Sequence, residues 1–275
     1  MLILEAQDGS EFRLPKKRTT PSVLRQSIAK PAENPTPDRQ ETTLLIDPTT
    51  AKQTAAPCLV LLCKRPALGH AKQRLAATLG QQSALVVAQA LLDCALEDLR
   101  QWPGTRVIAP DQEQHLTWAS SLGGEATCIA QSDGNLGQRL NELDRQLRHK
   151  GQRQLIFIGS DCPALLPDDY QNVSDLLQSF DTVLLGARDG GVVLMASNLP
   201  WPDLVALPWS TNHLGSSLAQ LCRHDGHSVV IAGESFDIDH AEDLSHLATT
   251  LLGDDRPARR QLLCLLQRLG IGSDA

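Results

Sequence analysis

Several short stretches of this 275-residue chain carry residue types at spacings suited to phosphate chemistry. The most informative is Ile156-Phe157-Ile158-Gly159-Ser160-Asp161-Cys162-Pro163. The apolar run from Leu155 to Ile158 stops at Gly-Ser-Asp, which is how a buried central strand reads when it ends at a carboxylate. In open α/β sheets the ligand crevice lies beyond the carboxyl ends of the strands. Asp161 therefore falls where a divalent metal and a phosphate would be held, and Pro163 fixes the turn behind it.

A second stretch, residues 64–75, places four cations (Lys64, Arg65, Lys72 and Arg74) within 11 residues. It follows an apolar strand and opens a helix. Backbone N–H groups at that helix start, with Lys72 and Arg74, suit a polyphosphate; a solvated basic loop is the plain alternative. The Gly-Lys-Ser/Thr of a Walker loop and the Gly-x-Gly-x-x-Gly dinucleotide turn are both absent here.

Asp189-Gly190-Gly191 reads either as a simple turn or as a second carboxylate facing the crevice, a metal ligand or general base. In Phe236-Asp237-Ile238-Asp239-His240 the alternation puts both aspartates on one strand face, where a divalent cation would supply their partner. Glycines around Asn135 let backbone approach a ligand, but Asn135 also suits a helix N-cap, and the cap is the stronger reading. Ser210 or Thr211, after Trp209, suits an N-cap in the same way. The histidines form no transition-metal set, and no Gly-x-Ser-x-Gly elbow is present.

Strands alternating with helices must position these groups. From residue 58 the pattern predicts strands at 58–63, 105–109, 126–130, 155–158, 182–185, 192–196 and 228–232. Helices are predicted over 82–101, 136–147, 214–222, 241–252 and 258–269, with shorter ones ending near Trp118 and Leu177. This is an α/β chain with an open, mostly parallel sheet and helices on both faces. Strands 182–185 and 192–196 are too close for a crossover helix, so a local irregularity or an antiparallel edge is expected there. The last helix, within 254–275, is left with two roles: packing on the 58–253 domain, or pairing two copies as a homodimer.

Residues 1–57 hold seven of the 16 prolines in a polar background and are expected to be an irregular extension. Asp8-Gly9 suggests a short hairpin within 1–14, followed by a linker. A net charge of −7 disfavours nucleic-acid binding, and 3% aromatics are too few for base-stacking platforms. Seven scattered cysteines without a Cys-x-x-Cys pair read as reduced core thiols. No run is long enough to span a bilayer and no leader pattern opens the chain, so a cytoplasmic location is expected.

Taken in order, these stretches resemble the glycosyltransferase-A-like family of radical-SAM/selenodomain-associated transferases. The resemblance runs over roughly residues 58–250. It rests on Lys64-x-Pro66-x-x-Gly69-x-x-Lys72-x-Arg74-Leu75, Gln131-x-x-Gly134-x-Leu136-Gly137-x-Arg139 and Gly159-Ser160-Asp161-Cys162-Pro163-x-Leu165. It continues through Gly186-x-x-x-Gly190-Gly191, Trp209-Ser210-Thr211 and Asp237-x-Asp239-x-x-Glu242-Asp243-Leu244.

The resemblance implies a nucleotide or nucleotide-sugar donor, a small acceptor, and Mg²⁺ or Mn²⁺ held by Asp161 with Asp239 as second ligand. It further implies that Lys64, Lys72, Arg74, Asn135, Gly137, Arg139 and Ser160 bind nucleotide and phosphate. Asp189 would be catalytic, with Gly190, Gly191, Trp209, Ser210 and Thr211 around the acceptor. The chain departs from the family at Gln73, where threonine is usual, and at Ala241, where proline is usual. It also has Val192 and Val193 in place of aromatic residues, which removes a stacking surface.

Three functions follow from these expectations. Glycosyl transfer from a nucleotide-diphosphate donor comes first. Nucleotidyl transfer with release of pyrophosphate is second, and a degenerate nucleotide-binding or scaffold protein is third.

Overall fold

The computed structural model describes residues 56–70 and 72–272; the hairpin and most of the linker expected before residue 58 lie outside them. Seven strands build one sheet: β1 (Cys58–Cys63), β2 (Arg106–Pro110), β3 (Thr127–Cys128), β4 (Leu155–Ile158), β5 (Thr182–Ala187), β6 (Val192–Ser197) and β7 (Val229–Ser235). Their spatial order is β3-β2-β1-β4-β6-β5-β7. β1 lies parallel to β2 and β4, with Val60 opposite Val107 and Phe157. β6 runs antiparallel to both β4 and β5, and β7 pairs parallel with β5.

The close pair read from the sequence is thus antiparallel, but it is not an edge. β6 inserts between β4 and β5, a register shift at Leu185/Gly186 absorbs the irregularity, and β7 takes the edge. A short β5–β6 connection allows only antiparallel pairing, which is why one strand reverses inside a parallel sheet.

Alternation along the strands feeds two apolar layers. Leu59, Leu61 and Cys63 of β1 pack with Leu92, Leu96 and Leu99 of α2 (Gln81–Gln101) and Val173 of α5 (Pro167–Leu176). Cys58 and Val60 face the other way, onto Leu140, Leu143 and Leu147 of α4 (Leu136–His149) and Leu218 of α6 (Leu214–His224). The period-2 strand pattern therefore covers both faces of the sheet with helices. α3 (Leu116–Leu122) packs beside β2 and β3.

A third cluster joins α1 (Gln73–Leu79), α2, α7 (Ala241–Thr250) and α8 (Pro257–Arg268) through Leu75, Leu91, Leu247, Leu262 and Leu266. The apolar stripe of the last helix is thereby spent within the fold. Among the described residues no helix is long and apolar enough to cross a membrane.

Because β1, β2, β4, β5 and β7 all point the same way, their carboxyl ends share one edge of the sheet. That edge receives residues 64–70 after β1, Asp161 after β4, Asp189 after β5 and Asp237 after β7.

Candidate active site

The loop after β1 returns to the sheet edge at Lys72, the residue that caps α1. Its backbone is left-handed, with φ 45° and ψ 59°, a conformation that costs a non-glycine residue about 1–3 kcal/mol. Its ammonium explains why the geometry persists. Lys72 Nζ donates to Asp161 Oδ2 at 2.9 Å and to the Ile238 carbonyl at 2.5 Å. Ile238 N in turn donates to the Asp161 carbonyl at 2.9 Å, which ties the post-β7 segment to the post-β4 turn. Two residues on, Arg74 Nη1 pairs with Asp239 Oδ2.

Charge at this edge is unbalanced. Burial works against the Lys72 ammonium, yet the charges of Asp161, Asp239 and Asp237 outweigh it and hold its pKa above the usual lysine value. Burial likewise opposes ionisation of Asp161, but the Lys72 charge and hydrogen bond keep it below the usual carboxylate range. Asp237 is left with the surplus: burial first, then the neighbouring Asp161 and Asp189 charges, push it up to about 6. The Asp161 side chain still shows 34% of its surface and Lys72 16%, so a ligand can reach the pair. Beside it, burial and the Asp161 charge hold the Cys162 thiol well above its ordinary value, which disfavours the thiolate.

Asp189 turns the chain between β5 and β6, its Oδ1 accepting from Gly191 N at 2.9 Å. Gly190 has φ 86°, and a Cβ there would run into the Asn212 carbonyl; Gly215 N also donates to its carbonyl at 2.9 Å. The glycine pair thus lets the Asp189 turn sit directly on the start of α6. The Trp209-Ser210-Thr211 stretch leads into that helix. Thr211 Oγ1 donates to the Pro208 carbonyl at 2.8 Å and accepts from His213 N at 3.3 Å, while Ser210 is left-handed at φ 71°. His213, not Ser210 or Thr211, occupies the N-cap position of α6.

Asn135, Gly137 and Trp209 form a second grouping on segment 201–209. Asn135 caps α4 through a reciprocal pair with Gln138 and donates to the Val205 carbonyl at 3.0 Å. Gly137 lies against the Leu204 carbonyl with no room for a Cβ. Arg139 Nε returns to the Gly134 carbonyl at 2.9 Å, and Trp209 Nε1 donates to the Leu204 carbonyl at 3.0 Å. Lys64 stands exposed at the end of β1, and Ser160 is half-buried before Asp161. Val193 is a core residue of β6 and Val192 packs half-buried against the opposite layer.

Sequence reasoning leaves two parts out. One is the place of Asp237: the sequence puts it with Asp239 on one strand face and makes Asp239 the second ligand, but β7 ends at Ser235 and both aspartates lie in the loop beyond it. The other is the support behind Asp161: Arg259 and Arg256 donate to the carbonyls of Pro163 (3.2 Å) and Leu165 (2.8 Å). An arginine on the apolar stripe of α8 is the available signal for that support.

Oxygen-only donors suit Mg²⁺ or Mn²⁺, which are commonly held by one or two carboxylates completed by substrate phosphates. Among the described residues no three His, Cys, Asp or Glu side chains form a ready-made cage. Asp237, whose ionisation burial and the Asp161 and Asp189 charges oppose, fits the first arrangement together with Asp161; Asp161 and Asp239 are each paired with a cation, Lys72 and Arg74.

An open sheet of this order, with its ligand edge at the strand ends, is the glycosyltransferase-A and nucleotidyltransferase type of fold. A family described as an uncharacterized protein conserved in bacteria (DUF2064) matches residues 91–211. The fold is shared with a candidate nucleotide-diphospho-sugar transferase from Desulfovibrio desulfuricans G20, at TM-score 0.71 and 22% identity over 78% of this chain and 97% of that one. Fainter likenesses are a Leptospira borgpetersenii cytidylyltransferase (TM-score 0.46, 11% identity, 81% and 99% covered) and Mycobacterium tuberculosis Rv0371C in complex with manganese (TM-score 0.44, 15% identity, 69% and 96% covered). No curated protein matches this chain.

Proposed function

We propose that the protein is a metal-dependent transferase that moves a sugar from a nucleotide-diphosphate donor to a small acceptor. The observation that carries this reading is the convergence, on the carboxyl edge of the sheet, of Lys72 and Arg74 with Asp161, Asp189, Asp237 and Asp239. The description of the Desulfovibrio relative as a candidate nucleotide-diphospho-sugar transferase supports it.

Asp161 and one of Asp237 or Asp239 would hold Mg²⁺ or Mn²⁺, which when bound neutralises charge on the donor's phosphates. Lys72 and Arg74 bind the diphosphate, with exposed Lys64 at the mouth of the same loop. As the bond from the sugar's anomeric carbon to the diphosphate oxygen breaks, its electron pair stays on the diphosphate. Those two cations then stabilise the added charge. Asp189, set on Gly190, Gly191 and the 209–211 approach to α6, takes the proton from the acceptor hydroxyl as that oxygen bonds to the anomeric carbon.

The test is product analysis with Mn²⁺ present. Release of free nucleoside diphosphate from a sugar donor, lost in Asp161→Asn and sharply slowed in Asp189→Asn, is the expected result. Pyrophosphate release from a triphosphate and a phosphorylated acceptor would replace it with nucleotidyl transfer.

A further inference from the structure

The Lys72 ammonium lies in surroundings suited to a metal ion. It bonds a carboxylate oxygen of Asp161 and the carbonyl oxygen of Ile238, and the charges of Asp239 and Asp237 also bear on it. The ammonium is bonded by one carboxylate oxygen and one carbonyl oxygen, hard oxygen donors of the kind that Mg²⁺ or Mn²⁺ takes. Its backbone is also held left-handed at φ 45°, a geometry a lysine abandons unless its bonds retain it.

We infer that Lys72 is a tethered counter-ion that keeps divalent metal out of the carboxylate pocket until a diphosphate draws the ammonium away. The inference rests on the proposed role of Asp161 as a metal ligand. Metal arriving alone meets a cation already bonded to Asp161 and gives the ammonium no new partner. Metal arriving with a diphosphate lets Lys72 pass to a phosphate oxygen while Asp161 passes to the metal, so every anion keeps a cation. Metal and diphosphate then favour each other's binding by one reciprocal factor.

The experiment titrates Mn²⁺ alone, without nucleotide, and reads free Mn²⁺ by electron paramagnetic resonance on the wild type, Lys72→Met and Lys72→Arg. Lys72→Met is expected to bind Mn²⁺ at least about tenfold more tightly than the wild type, within the usual range of site coupling. Lys72→Arg should stay as weak as the wild type, and adding Asp161→Asn to Lys72→Met should remove the gain. Lys72→Gln is neutral and can still donate to Asp161 and the Ile238 carbonyl; it supplies the same comparison should the methionine variant fail to fold.

Equal Mn²⁺ affinity in the wild type and the neutral variants overturns the inference. If that equality comes with normal nucleotide binding, the transferase reading survives it. If the tenfold gain appears but the wild type binds no nucleotide, the exclusion of metal by Lys72 stands, while its release by a diphosphate and the transferase reading both fall.

Discussion

Between α2 and α8, two arginines meet three carboxylates, Glu97, Asp98 and Asp254; at the sheet edge, Lys72 and Arg74 pair with Asp161 and Asp239, and Asp189 and Asp237 add two further carboxylates. In the interior cluster every carboxylate bonds an arginine. Arg259, 1% exposed, donates to Asp98 Oδ2 (2.6 Å), Glu97 Oε2 (3.0 Å) and the carbonyls of Cys94 and Pro163. Arg256 reaches Asp98, Asp254 and the Leu165 carbonyl, and the Tyr170 hydroxyl donates to Asp98 at 3.0 Å. At the edge, Asp237 crowds Asp161 and Asp189, and the main cation sits on a left-handed backbone.

The same residue types therefore do opposite work. The closed network clamps the turn that begins at Asp161, while the open one keeps surplus negative charge and local strain that a cation and a diphosphate would relieve. Natural proteins commonly give up stability at functional sites in this way.

The largest effect expected from breaking this contrast is at Arg259. Arg259→Ala leaves Glu97 and Asp98 buried without their main partner and should cost about 3–5 kcal/mol in urea unfolding. A loss below about 1 kcal/mol would mean the interior network is not closed as described. At the edge the sign should reverse. Asp237→Asn relieves repulsion with Asp161 and Asp189, and should raise the stability of the metal-free protein by about 1 kcal/mol, a melting shift of roughly 2–4 °C. A lower melting temperature would show that Asp237 is already matched. The smallest effect separates cap from ligand contact: Asn135→Ala should cost about 1 kcal/mol through the lost α4 cap and leave nucleotide affinity unchanged. A fall in that affinity would bring the 201–209 grouping into the nucleotide site.

The strands, most helices and the edge at which the strands' carboxyl ends meet were legible because periodicity reports burial directly. Leu155 to Ile158 read as a buried strand ending at Asp161, and it is one. Where signal is local, boundaries slipped: the strand expected over 126–130 is only Thr127–Cys128, and that expected over 228–232 runs Val229–Ser235. The interior place of β6 was not legible, since hairpin spacing fixes the sense of pairing but not which strand lies beyond it. Charge pairing across the chain was not legible either. Lys72 with Asp161 and Arg259 with Asp98 are separated by 89 and 161 residues, and no local pattern announces such partners. The surroundings of Asp237 were not legible for that reason, because they are made by Asp161 and Asp189 from other segments.

The central claim is a metal-dependent nucleotide-diphosphate site built on Asp161. The most direct test is thermal unfolding of the wild type and Asp161→Asn with nucleoside diphosphates and sugar-nucleotides, each with and without Mn²⁺. The wild type should gain about 2.7 kcal/mol from one such ligand at a hundred times its dissociation constant, only when metal is present, and Asp161→Asn should gain nothing. Full stabilisation of Asp161→Asn, or no stabilisation of the wild type by any of these ligands, would contradict the account.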